Sequence, residues 1–349
     1  MMSKRNIYMA WKQLEYSKNE VDRAGREAAI MGKTSDDYKK ALKIIDNWRA
    51  AHGYPLYVIT NKLKRMTKGK RIFVVHRLKR LESIVAKLRR NDHMSLKNMQ
   101  DLGGCRVVVP KIEDVYRIAE KFEGSRVRHK LVKENDYIKE PKRDGYRSLH
   151  RVYKYVSDDK ESPYNGMKIE IQFRTLMQHY WATAVETMGL CTKTNLKAGM
   201  GDDDIKRFFV LTSNLFAMSE KQVLVPNTSG SLRENILELK QIDDKNHIIN
   251  KLKAISTMVQ TTKNIEKTGY YLLNLDLEKM RLSIRGYKTK NFKYAVADYD
   301  YLEGLIGEKN DIVLVAAPSA KELKRAYPNY FGDIKQFIEK IEGLINMYS

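Results

Sequence analysis

The chain has 349 residues, 42% of them apolar, enough for a real core and for two domains or one large domain with an appendage, so global disorder is excluded. A formal charge of +22 argues against an enzyme of small neutral substrates and toward polyanions: nucleotides, nucleic acid or an anionic membrane. No apolar run approaches a membrane span, the opening "MMSKRNIYMAWKQLEY" has no signal-peptide core, and Cys105 and Cys191 supply neither a disulfide framework nor a zinc cluster. A cytoplasmic protein without a membrane partner is the expectation.

Residues 1–50 read as helical, and "HGYPLYVITNKLK" interrupts them with a glycine and a proline. From 61 to 100 the chain carries thirteen Lys/Arg against two acids, a bias that predicts a strongly basic face. Within it, Val74, Leu78, Leu81, Ile84, Val85 and Leu88 recur at helical spacing, so "RIFVVHRLKRLESIVAKLRRN" reads largely as a helix with one apolar and one basic side. Arg77, Lys79, Lys87 and Arg89 lie on it, and each alone could be an ordinary solvated cation.

The period then changes. "CRVVVP" is a short buried strand, and "KIEDVYRIAEKF" is a helix ending at Gly124. "SRVRHKLV", "RVYKYV" and "MKIEIQF" continue as strands, which predicts an α/β fold with a mixed β-sheet flanked by helices. Thr175 to Gln178 forms a capping box opening "LMQHYWATAVETM". Beyond residue 200 the chain is mostly helical, with Ser231-x-x-Glu234 starting a long helix to about residue 265. "GYYLLNLDLEKMRLSIRGY" reads as a hairpin and "DIVLVAAP" as a strand. Ser319-x-x-Glu322 caps a short helix before a final one, giving a small C-terminal α+β module.

In "KIEIQFRT" strand alternation sends Ile169, Ile171 and Phe173 to a core and puts Glu170, Gln172 and Arg174 on the other face. Taken alone, a solvated edge strand is the slightly better reading. In "MQDLGGCRVVV" Asp101 precedes a strand, Gly103 and Gly104 permit close backbone approach, and Arg106 sits among apolar residues where it needs an anion. That anion is either an internal carboxylate such as Glu170 or a phosphate or base. If Asp101 and Glu170 come from neighbouring strands they make a two-carboxylate site that suits Mg²⁺, which leaves positions for water and phosphate oxygens. No P-loop and no nucleophile elbow occurs. The stretch "DYIKEPKRDGYRSLHRVYKY" surrounds a turn at Asp144-Gly145 with cations and tyrosines. It reads either as an exposed basic hairpin or as a loop presenting Tyr146 to a base amid Lys139, Lys142, Arg147 and His150.

"RLKRLESIVAKL", "DLGGCRV", "DYIKEPKRDGYRSLH" and "EIQFRT" together resemble, in order and approximate spacing, the RelA/SpoT synthetase domain over about residues 60 to 190. The resemblance implies a nucleotidyltransferase-type fold and transfer of the β,γ-pyrophosphate of ATP to a ribose 3′-hydroxyl. It implies Mg²⁺ on Asp101 and Glu170, with Glu170 also helping to activate the hydroxyl. ATP would be bound by Arg77, Lys79, Ser83, Lys87 and Arg106. The acceptor would meet Tyr146 with Lys139, Lys142, Arg147, His150, Gln172 and Arg174. Phe173, where Ile is commoner, and the Gly103-Gly104-Cys105 stretch depart from the usual pattern without removing a reactive group.

The wide basic surface favours tRNA over a free guanine nucleotide as acceptor, as in the toxic members that stop translation. "AYPNYF" places Tyr327 and Tyr330 three apart on a segment stiffened by Pro328, and with the domain order it resembles the CapRel fused toxin–antitoxin proteins. That likeness implies an autoinhibitory plug released by a phage protein such as a major capsid protein. The expected layout is a synthetase over 1–225, a helical connector over 226–267 and a regulatory module over 268–349. Two alternatives stand: an alarmone synthetase using GDP, GTP or another nucleotide, and a non-catalytic RNA- or partner-binding protein on a synthetase scaffold.

Overall fold

The computed structural model describes residues 11–32, 35–125, 128–192, 196, 201–258, 260–261, 269–276, 281–288, 291–305, 310–316, 323–324 and 334–347. In chain order these form α1 (Lys18–Ile30), α2 (Asp36–Ala51), α3 (Gly53–Met66), β1 (Phe73–Leu78), α4 (Leu81–Arg89), β2 (Gly103–Val109), α5 (Ile112–Gly124), β3 (Lys130–Asp136), β4 (Leu149–Lys154) and β5 (Lys168–Thr175). There follow α6 (Leu176–Cys191), α7 (Asp203–Ser219), α8 (Leu232–Asn246), α9 (Ile248–Met258), β6 (Gln260–Thr261), β7 (Tyr270–Asp276), β8 (Arg281–Tyr287), α10 (Phe292–Leu305), β9 (Asn310–Ala316) and α11 (Lys335–Asn346). The first five strands make one mixed sheet in the order β1-β2-β5-β4-β3, and the last four make a second in the order β6-β8-β7-β9.

The chain divides into two compact units. One comprises 1–107, 116–135 and 150–172. Ser17 and Glu20 close a reciprocal capping box on α1, and the Ser35 hydroxyl caps α2. The apolar faces of these helices pack Val21, Ile45, Trp48, Leu88 and Tyr164 into one cluster. The other unit comprises 108–115, 136–149 and 173–349. Its helical core joins Trp181, Phe208, Phe209, Phe216 and Phe337, the last from α11. Its β7–β8 hairpin is antiparallel, with Leu273 opposite Ile284, and β7 pairs antiparallel with β9 on its other edge.

Three expectations are corrected. The long basic helix begins only at Leu81, because Phe73-Val74-Val75 enters β1 with all three residues buried. Its apolar spacing of three and four imitated a helix, while the β-branched run favours a strand. The "HGYPLYVITNKLK" segment is a genuine break at His52 but is itself helical. Pro55 falls in the first turn of α3, where a missing N–H leaves no helical bond unmade. The helix from Ser231 stops at Asn246: His247 adopts a left-handed conformation (φ 52°) and α9 restarts at Ile248. The Thr175–Gln178 capping box is present in both directions, at 3.1 and 3.2 Å.

Candidate active site

Strand β5 alternates over Lys168–Phe173 as its sequence requires, and the pattern ends at Arg174, which is buried despite its place in the polar series. Ile169 and Ile171 are fully buried while Glu170 and Gln172 are half-buried on the opposite face. Beside it runs β2, and the approach is close at Gly103, where an added Cβ would lie 2.7 Å from Ile169 Cδ1. Gly104 has no such neighbour; the nearest atom to a Cβ there is the Arg77 carbonyl at 3.9 Å. The tight glycine is therefore the first of the pair.

The segment entering β2 carries Asp101. The Lys79 N–H donates to the Leu102 carbonyl (2.8 Å), which brings the end of β1 alongside it. Lys79 Nζ donates to Asp101 Oδ2 at 3.0 Å, and Lys87 Nζ, from α4, donates to both Asp101 oxygens at 3.0 Å. Burial opposes the charge on Asp101, but the two ammonium groups outweigh it and hold the carboxyl below the usual carboxylate range. Burial pulls the Lys79 amine down, Asp101 resists, and the positive charges of Lys87 and Arg77 push the same way as burial.

Glu170 accepts from Gln172 Nε2 at 2.7 Å, and its Oε1 lies 3.0 Å from His150 Nδ1. Burial would raise its pKa; the hydrogen bonds and charge interaction with His150 and Gln172 prevail and lower it. Asp101 exerts an opposing, raising influence on Glu170, so the two carboxylates lie within electrostatic reach of each other. Among the described residues no group of three or more His, Cys, Asp or Glu gathers as a metal cage. Two hard carboxylates and open positions fit Mg²⁺ rather than zinc. A cation there would compete with the ammonium groups that already occupy the Asp101 oxygens.

Ser83 is half-buried in the first turn of α4. Arg106 is half-buried on β2, alternating with buried Cys105 and Val107. His150 and Gln172, expected to meet the acceptor, both contact Glu170.

The tyrosine loop belongs to the other unit. Gly145 has φ +88°, and a Cβ on it would lie 2.9 Å from Ser213 Cβ and 3.1 Å from Trp181 Cζ2, so only glycine fits. The Ser213 hydroxyl donates to the Gly145 carbonyl (2.5 Å), and Asp144 Oδ1 accepts from the Tyr146 N–H (2.9 Å). The half-buried Tyr146 ring faces Lys142 Nζ and the Arg174 guanidinium, each 5.3 Å from its centroid, and its hydroxyl accepts from Arg174 Nη2 at 2.7 Å. A cavity of about 320 Å³ opens beside the ring, walled by Tyr146, Trp181, Val185 and Phe209 with Arg143 and Lys206 at its rim. Lys139 and Lys142 are exposed.

Arg147 lies beneath this loop. It is 3% exposed, and its guanidinium donates to the main-chain carbonyls of Ile138 and Val223. Burial pulls its pKa down to about 10 against the charge of Glu220, and its two carbonyl contacts brace the loop. Ser213 and Trp181 escaped the sequence reading because nothing near Gly145 in the chain announces partners dozens of residues away. Tyr327 and Tyr330 lie outside the described residues.

Fold and site together define an α/β protein whose paired carboxylates and clustered lysines suit phosphate chemistry. Residues 76–195 match the family described as a region found in RelA / SpoT proteins, and that segment contains every residue of the carboxylate cluster. Two curated relatives from Bacillus subtilis (strain 168) align with this chain. The GTP pyrophosphokinase YjbM is 36% identical over 118 residues, 32% of this chain and 53% of the relative. The GTP pyrophosphokinase YwaC is 29% identical over 164 residues, 42% of this chain and 76% of the relative. The chain thus spans about half the length of the first and three quarters of the second. Among solved structures, small alarmone synthetase 1 from Bacillus subtilis with its product pppGpp aligns at 27% identity and a TM-score of 0.38, covering 47% of this chain and 81% of that one. Among the described residues no helix is long and apolar enough to cross a membrane.

Proposed function

We propose that this chain transfers the β,γ-pyrophosphate of ATP to a ribose 3′-hydroxyl, with the 3′ CCA end of tRNA as acceptor and arrest of translation as the consequence. The observation that carries this is Asp101 gripped by Lys79 and Lys87 at 3.0 Å, with Glu170, held by His150 and Gln172, near enough to feel its charge. The acceptor oxygen attacks the β-phosphorus, the bond from that phosphorus to the α,β-bridging oxygen breaks, and AMP leaves with the oxygen. Lys79, Lys87, Arg77, Ser83 and Arg106 take the ATP, their charges meeting its phosphates. Asp101 and Glu170 would hold Mg²⁺, which when bound supplies positive charge against the phosphate oxygens.

Glu170 has a depressed pKa and is a weak base. Its part is to orient the hydroxyl and receive the proton late, as the new P–O bond forms, and His150 keeps it ionised until then. The Tyr146 ring and its neighbouring cavity receive the acceptor base, with Arg174 fixing the phenol. The net charge of +22 favours a polyanionic acceptor. A guanine nucleotide is the second reading, favoured by the names of both curated relatives.

Silencing by Tyr327 and Tyr330, and release by a phage capsid protein, rest on the YPNYF segment. Replacing both tyrosines with alanine should make expression toxic, and unaltered growth at normal protein levels would count against a plug. The acceptor is tested by incubating that variant with γ-labelled ATP, bulk tRNA and guanine nucleotides. Label at the tRNA 3′ end supports the leading reading, label on nucleotide the second, and none on either removes both.

A further inference from the structure

Between Asp46 and Glu82 the chain has ten Lys/Arg and not one Asp or Glu, a bias that the cluster at Asp101 uses only in part. Helix α3 and the residues just after it carry most of the rest. The helix's inner side is Leu56, Ile59 and Leu63, all buried. Its outer side presents Tyr57, Asn61, Lys64 and, just past the helix end, Lys68, spaced by four, three and four, with Arg65 beside them. These residues line an open groove of about 650 Å³. Lys62, a neighbour, is tied to the Ser125 carbonyl (2.9 Å), whereas among the described residues no carboxylate pairs with Lys64, Arg65 or Lys68.

Lys64 and Arg65 have an ordinary structural use, since cations in a last turn complement the helix dipole. That use does not extend to Lys68, Lys70 and Arg71 beyond it, nor to Tyr57. Tyr57 keeps 45% of its surface in solvent although Trp11 packs only 5.3 Å from its ring. Cations along a groove with one accessible aromatic ring match a nucleic-acid backbone carrying an unstacked base. An anionic bilayer would instead favour several apolar side chains beside the basic ones, and this stripe has none fully exposed.

We infer that the outer face of α3 is an RNA-docking surface, in which Lys64, Arg65 and Lys68 meet phosphates and Tyr57 stacks on a base. The inference deepens the tRNA reading, and it assigns to these residues affinity rather than chemistry. The test is fluorescence anisotropy of labelled bulk tRNA over a salt series, with wild type, the triple variant Lys64→Ala/Arg65→Ala/Lys68→Ala and the single variant Tyr57→Ala. Thermal melts establish that each variant is folded.

The triple variant should weaken binding about tenfold or more and flatten the plot of log affinity against log salt by about 2 to 3. Tyr57→Ala should weaken binding with the slope kept. Wild-type affinity and slope in the folded triple variant would overturn the inference, as would absence of tRNA binding by the wild type at low salt. Binding of phosphatidylserine vesicles through these residues in place of tRNA would overturn it too. Label transfer read in parallel, with each protein also carrying Tyr327→Ala/Tyr330→Ala, separates the two proposals. Slope loss without labelling of tRNA leaves the docking surface and removes the acceptor; labelling with an unchanged slope does the reverse.

Discussion

Asp101 is held ionised by two ammonium groups and Glu170 by an imidazole and an amide, so the carboxylates are stabilised in different ways. Both have lowered pKa values in the fold. Their contribution to stability is therefore present above the ordinary carboxylate range and lost as pH falls through the lower folded values. His150→Ala removes one support from Glu170, so the acidic limb of the pH–rate profile should move upward and transfer should fall roughly 10–100-fold. A pH–rate series on the variant checks this, and an unmoved acidic limb would detach His150 from the role. Asp101→Asn leaves Lys79 and Lys87 facing each other without a counter-charge. Transfer should drop by at least about 100-fold and the melting temperature should fall, because two partly buried cations lose their counter-charge; near-normal turnover in the folded variant would mean that Asp101 does not serve the reaction.

At the scale of elements, the loop bearing Tyr146 depends on α6 and α7. Gly145 is pressed against Trp181 and Ser213, and its positive φ strains any other residue. Gly145→Ala should destabilise the fold by about 1–3 kcal/mol in urea unfolding. Ser213→Ala should be milder, about 1 kcal/mol for the hydrogen bond, and should raise the KM for acceptor more than that for ATP. Equal changes in both KM values would show that the loop does not serve the acceptor alone. Strand β5 was readable from sequence because alternation has a period of two and its inward residues are all large and apolar. β1 was not, because Val74, Leu78 and Leu81 fall at helical spacing across a strand, a turn and a helix. Arg147 was unreadable for a different reason. Its charge suggests solvent or phosphate, whereas the carbonyl that satisfies it, at Val223, is brought there only by the fold.

Over the whole molecule, charge and burial set the response to conditions. His52 is 1% exposed, places Nδ1 2.8 Å from the Trp48 carbonyl, and is lowered by burial from 6.5 to about 4. The neutral ring is thus built into the fold, so stability should fall as pH drops from 6.5 toward 4, by about 3 kcal/mol in total from this group. Chemical denaturation at several pH values, compared with His52→Gln, measures that share; identical pH dependence in the two proteins would assign it elsewhere. The α/β class and the C-terminal hairpin were legible because each follows local periodicity. The bracing of Gly145 and the break at His247 were not, since they depend on residues distant in sequence and on a single left-handed backbone angle. The decisive experiment is product analysis with ATP, Mg²⁺ and acceptor for the Tyr327→Ala/Tyr330→Ala protein, with and without the added Glu170→Gln. AMP should appear in equal amount to pyrophosphate bound at the acceptor's 3′-oxygen, and the variant should lose both together. Formation of ADP, or an undiminished yield from Glu170→Gln, would contradict the reaction assigned to this site.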